Sequence, residues 1–146
     1  MDNMKRNILP GAHTMLAFHN MLVGGETNET VRFEASGKSA TCHLRACYRG
    51  RVIDVTATDF FEALCQIRET LALQGLYPLC HGVSLDVYSI GSSRNLNSGL
   101  LAYRLTMGRQ VTQFDVVETF GCNAQITPAT VAEQRDFYSQ WLQSTA

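Results

Sequence analysis

Hydrophobic and polar positions alternate with period two over three consecutive stretches. Val31, Phe33 and Ala35 face one way, with Arg32 and Glu34 between them. Ser36-Gly37-Lys38 supplies a turn. Cys42, Leu44, Ala46 and Tyr48 then share one face of the next run, and Thr41, His43, Arg45 and Cys47 take the other. Arg49-Gly50 turns the chain, and Arg51 to Ala57 returns. Period two with short glycine turns predicts an antiparallel meander. The period then changes. Phe60, Leu64, Ile67 and Leu71 form one helical stripe, with Asp59 and Glu62 placed as a capping-box-like pair. Gly75 offers a C-terminal stop, and Pro78 prevents resumption.

Val83, Leu85 and Val87 predict a fourth strand, and Leu101, Tyr103 and Leu105 a fifth. Residues 114–120 fit a strand or a short helix equally. Thr130 and Glu133 form a T-x-x-E box before Phe137, Tyr138, Trp141 and Leu142, which predicts a final helix with one broad apolar face. The order is strands, helix, strands, helix. The expected fold is α+β: an antiparallel sheet of about five to six strands with two main helices packed on it. Residues 1–146 read as a single domain. Within it, 1–25 is an N-terminal segment with no assigned element, and 29–146 is the α+β body, with the boundary at Gly24 to Glu29. The apolar run Met15 to Val23 is broken by His19 and Asn20.

Between the fourth and fifth strands lies G91-S-S-R-N-L-N-S-G99. Hairpin loops usually run about 2–5 residues, and longer ones are more often functional. Arg94, Asn95 and Asn97 offer donors and acceptors, and Leu96 offers an apolar tip. That mix suits contact with another protein, so these residues are the candidate partner-binding set. A plain connector, or a lid over a ligand at the end of the sheet, are the other readings of the loop.

Composition narrows the function classes. The 12 basic and 13 acidic residues leave a net charge of −1. Non-specific nucleic-acid binding needs a strong positive field, so no nucleic-acid partner is expected. Arg45, Arg49 and Arg51 read as solvated residues around a hairpin turn. No segment approaches the roughly 20 apolar residues of a membrane span, and the Gly24-Gly25-Glu26 sequence makes a poor signal-cleavage site. A cytoplasmic location is expected. The five cysteines are an odd number without a C-x-x-C pair, which suits reduced thiols.

Candidate chemistry is sparse. Cys42-His43 and Cys80-His81 have the residue types of metal ligands, but strand neighbours point to opposite faces. His43 and Cys47 share a face yet sit on the order of 13 Å apart, too far for one tetrahedral ion. No G-x-S-x-G surrounds a serine, and Cys65 sits near the edge of the helical stripe, where a packing role is the simpler reading. Gly91 and Gly99 lack the following Gly-Lys and helix of a phosphate loop. No catalytic residue, metal or cofactor is expected.

Four pieces carry a family resemblance: F61-E-A-L-C-Q-I-R68, G75-L-Y-P-L-C-H-G82, D86-V-Y-S-I-G-S-S-R-N-L-N-S-G-L-L-A-Y-R-L105 and T130-V-A-E-Q-R-D-F-Y-S-Q-W-L142. Together they resemble small bacterial immunity proteins of polymorphic and contact-dependent growth-inhibition toxin systems. In that group the loop tends to read S-G-M-x-R-D-M. This chain keeps Gly99 and Ala102-Tyr103 but has Asn95 for the acidic residue and Leu96 for methionine. The resemblance implies a non-enzymatic protein that binds and neutralises a cognate toxin domain. The alternative is a small-molecule- or nucleotide-binding α+β domain using residues 91–99 as its lid.

Overall fold

The computed structural model describes residues 15–25, 28–38, 40–90, 96–123 and 125–146. Two helices, one five-stranded antiparallel sheet and one three-stranded sheet make an α+β fold. Strands β1 (Met15–Val23), β2 (Thr30–Ser36), β3 (Cys42–Tyr48) and β4 (Arg51–Ala57) form the larger sheet with the short β5 (Tyr77–Pro78), in the order β4-β3-β2-β1-β5. Strands β6 (Val87–Tyr88), β7 (Leu101–Arg104) and β8 (Val116–Glu118) form the smaller one, with β7 central. Helix α1 spans Phe60–Ala72 and α2 spans Val131–Ser144.

The meander of β2, β3 and β4 stands as its alternation predicts. Val31, Phe33, Ala35, Cys42, Leu44, Ala46 and Tyr48 are all buried. They pack against Phe60, Leu64, Ile67 and Leu71, so the single stripe of α1 covers one face of the sheet. Fully burying a side chain such as Phe33 or Leu44 stabilises by about 1.5–3 kcal/mol.

Helix α1 is buried on a second side as well. Phe61 and Cys65 join Val87, Ala102 and Val131 in a smaller cluster beneath the three-stranded sheet and α2. The helix therefore lies between two layers. An aromatic chain closes the second one: Phe61 meets Tyr88 edge-on at 5.3 Å, and Tyr88 stacks on Tyr138 at 4.2 Å.

Several expectations change. Met15–Val23 is a full strand, pairing with β2 from Met15↔Ser36 to Met21↔Thr30. Its alternation is masked because the covered face includes Asn20, while Met15, Met21 and Val23 occupy the exposed one. Gly24, Gly25, Asn28 and Glu29 thus fall between two paired antiparallel strands.

The expected fourth strand shrinks to Val87–Tyr88. His81–Val83 is a 3₁₀ turn, and the chain beyond it bonds to residues 127–129 instead: Leu85 N–H donates to Thr127 O, and Ala129 N–H to Val83 O. Residues 114–120 divide, a 3₁₀ turn at Gln113–Asp115 leading into β8.

Both predicted caps hold their helices, with one difference. Thr130 and Glu133 make the full reciprocal box. Asp59 accepts the Glu62 amide at 2.7 Å, but the Glu62 carboxylate turns outward to Gln66 and Arg135. Gly75 ends α1 at φ +73°, the left-handed conformation that favours glycine. On α2, Trp141 is buried but Leu142 is 45% exposed, so the apolar face is narrower than expected. Among the described residues, no helix is long and apolar enough to cross a membrane.

Candidate functional site

The second face of the large sheet carries no helix among the described residues. The antiparallel register sets its side chains in rows. His19, Arg32, Cys47 and Val52 lie side by side across β1 to β4. Ala17, Glu34, Arg45 and Asp54 form the next row, and Met15, Ser36, His43 and Thr56 the third. All of them are exposed or half-exposed.

Charge on this face alternates in sign and is paired locally. Arg45 Nε donates to Asp54 Oδ1 at 2.9 Å, His43 Nε2 lies 3.0 Å from the same oxygen, and Arg32 meets Glu34 at 3.3 Å. The Arg45 hydrogen bond holds the Asp54 carboxyl below the usual range. Exposed pairs of this kind add little stability. Val52, 55% exposed, lies on the same face at the edge strand β4. The result is a broad surface of mixed polarity. Arg49, by contrast, engages Glu29 at the hairpin end, Nη2 to Oε1 at 2.9 Å.

Of the residues singled out in the long loop, Arg94 and Asn95 lie outside the described residues. The expected apolar tip at Leu96 is corrected: its side chain is 2% exposed. Asn97 is exposed, at φ +53°. Leu96 is buried because the loop's second limb folds back on itself. The Gly99 and Leu101 amides both donate to Leu96 O at 3.0 Å. Gly99 then rests on the start of α1, where a Cβ would lie 2.6 Å from the Phe61 nitrogen and 2.9 Å from that of Phe60. Thr119 Oγ1 donates to Gly99 O at 2.7 Å and ties the limb to the chain beyond β8. Residues 96–99 are therefore anchored against α1.

Two polar clusters lie deeper, and neither was visible in the sequence. Arg104 grips Asp86 with Nη1, at 2.9 and 3.0 Å from the two carboxylate oxygens, and places Nη2 3.1 Å from His81 Nδ1. A guanidinium only donates, so this contact makes His81 Nδ1 the acceptor and the ring neutral. Burial pushes the His81 pKa down, and the neighbouring Arg104 charge lowers it further. Ser84 Oγ donates to Asp86 Oδ1 at 2.8 Å. Asp86 thus ties Ser84 to Arg104.

The other cluster centres on Arg68, 3% exposed. Nη1 donates to Gln134 Oε1 at 2.6 Å and Gly82 O at 3.2 Å, and Nη2 to Ala129 O at 2.8 Å. Gln134 Nε2 in turn donates to Gly82 O and Ser84 O. The pair stitches α1, the 81–83 turn and the entry to α2 together.

The thiols are poor nucleophiles where they are buried. Desolvation pushes Cys65 up to about 11 and Cys80 up to about 12, far above the range of reactive cysteines. Cys65 packs in the smaller core cluster, as its place beside the helical stripe predicts. Cys42 points into the core and His43 to the open face. Among the described residues, no three His, Cys, Asp or Glu side chains come together as metal ligands would. No protein-family model matches this chain, and no curated protein matches it.

Proposed function

We propose that this chain is a non-enzymatic immunity-type protein that binds and neutralises a cognate bacterial toxin domain in the cytoplasm, using the open face of its large sheet. The observation that carries the reading is that face. Four strands present three rows of exposed or half-exposed side chains whose charges are balanced and locally paired. Protein recognition surfaces combine such polar complementarity with apolar contact, and Val52, Met15 and Met21 supply exposed apolar area there. The resemblance of residues 61–142 to immunity proteins supports the class of partner. A near-neutral face suits a toxin surface of mixed polarity better than a strongly basic one.

The test begins with the gene encoded beside this one. An inactivated form of its C-terminal domain is titrated calorimetrically into this protein. One-to-one binding with nanomolar affinity, about −12 kcal/mol, is expected. Val52→Asp combined with Arg32→Ala is expected to weaken it at least about tenfold, or 1.4 kcal/mol, without lowering thermal stability. Arg94→Ala with Asn97→Ala addresses the loop separately. Absence of heat and of complex refutes the toxin reading. Full affinity in both double variants moves the interface elsewhere.

A further inference from the structure

A cavity of about 240 Å³ opens between α1 and the start of α2, walled by Arg68, Glu69, Leu76, Tyr77 and residues 129–132. Most of its wall is apolar: Ala72, Leu76, Pro78, Ala129, Val131 and Ala132. Arg68 is its unusual member. Arg68 as a whole is 3% exposed and takes part in no ion pair among the described residues. All its acceptors are neutral: two backbone carbonyls, the Gln134 amide oxygen and, more distantly, the Cys65 sulfur. None of these bonds uses Nε, so the Nε–H and the second Nη2–H remain for another acceptor. A buried cation is costly unless an anion accompanies it.

Val131 and Ala132, at the start of α2, line the same cavity. The α2 capping box takes up the Thr130 and Glu133 amides. The first-turn amides of Val131 and Ala132 have no partner within the helix. Among the described residues Glu69 is the one carboxylate lining the cavity, and its charge disfavours a multiply charged guest. The donors, the apolar wall and Glu69 together select a single negative charge on a short apolar body.

We propose that this cavity binds a small aliphatic monocarboxylate, its carboxylate meeting Arg68 and its chain lying on Leu76, Pro78 and Ala129. The site is independent of the open sheet face and does not rest on the toxin reading.

Sodium butyrate is titrated into the full chain and followed by ¹H–¹⁵N spectra, with sodium chloride at equal ionic strength and butylammonium chloride as controls. Saturable shifts centred on the Val131 and Ala132 amides and the Arg68 Nε–H, given by butyrate alone, are expected. Replacing Arg68 removes buried hydrogen bonds and endangers the fold, so the wall is altered at two exposed alanines. Ala132→Phe and Ala72→Phe fill the cavity, and the saturable shifts are expected to be lost in whichever retains the native spectrum. No saturable response in the unaltered chain overturns the proposal. An equal response to chloride overturns it too, as do shifts that persist undiminished in a folded variant.

Discussion

Arg68 and Gln134 stand 66 positions apart and share a buried 2.6 Å hydrogen bond. Gln134 is fully buried on a helix whose face reads as polar there, and Arg68 sits at the C-terminal half of α1. Each satisfies the other, and each bonds Gly82 O. Gln134→Ala removes an acceptor from a buried cation and donors from two buried carbonyls. The expected loss is roughly 3 kcal/mol, read as a lower urea midpoint with an unchanged slope. A loss within experimental error would show that water or a neighbour replaces the amide.

Gly99 tests the anchoring of the long loop. Its φ of +88° is left-handed, and an added Cβ would run into the backbone nitrogens of Phe60 and Phe61. Gly108 has a similar φ of +79° but open space around it. Gly108→Ala is expected to cost about 1 kcal/mol from the backbone alone. Gly99→Ala should cost more, because α1 or the loop limb must move, and should raise exchange at the Gly99 and Leu101 amides. Equal losses in thermal melts of the two variants would contradict the close packing.

The His81 contact makes stability depend on pH. Its pKa is lowered in the fold from 6.5, so the unfolded chain takes up the proton first as pH falls. Stability is therefore complete above about pH 6.5 and declines as pH drops towards the folded value. Arg104, Asp86 and Glu118 are the charges facing the ring. His81→Asn keeps an acceptor for Arg104 without a titrating group, and is expected to flatten this decline. Asp54, held low by Arg45, acts only at lower pH, below 3.8, so the two contributions separate in a pH series of urea melts.

Thiol accessibility should divide the cysteines. Cys122 is exposed and Cys47 half-exposed, whereas Cys42, Cys65 and Cys80 are buried. Brief alkylation of the native chain, followed by peptide mass mapping, is expected to label Cys122 first and Cys47 next. The three buried thiols should react only after denaturation. Early labelling of Cys65 would mean that the smaller core cluster opens on the minute timescale, and early labelling of Cys80 that the larger one does.

Much of this architecture is local and therefore legible. Val31-Phe33-Ala35 and Cys42 to Tyr48 alternate because one face of each strand meets α1 and the other meets solvent. Asp59 and Thr130 announce helix starts because a cap is satisfied within three residues. The sequence by itself determined the meander, both helices and the α+β class. Other features depend on groups distant along the chain. Met15–Val23 reads as a broken apolar run until Asn20 is seen donating to Leu79 O and Phe120 O across the core. Residues 83–85 leave their expected strand because residues 127–129 offer the bonds instead. Leu96 looks like a polar loop's tip, yet it is buried where the limb folds back towards α1. Period and capping report on neighbours three or four positions away. Only the tertiary structure decides which face a strand leaves open, which loop is pinned, and which buried cation has no counter-charge among the residues described.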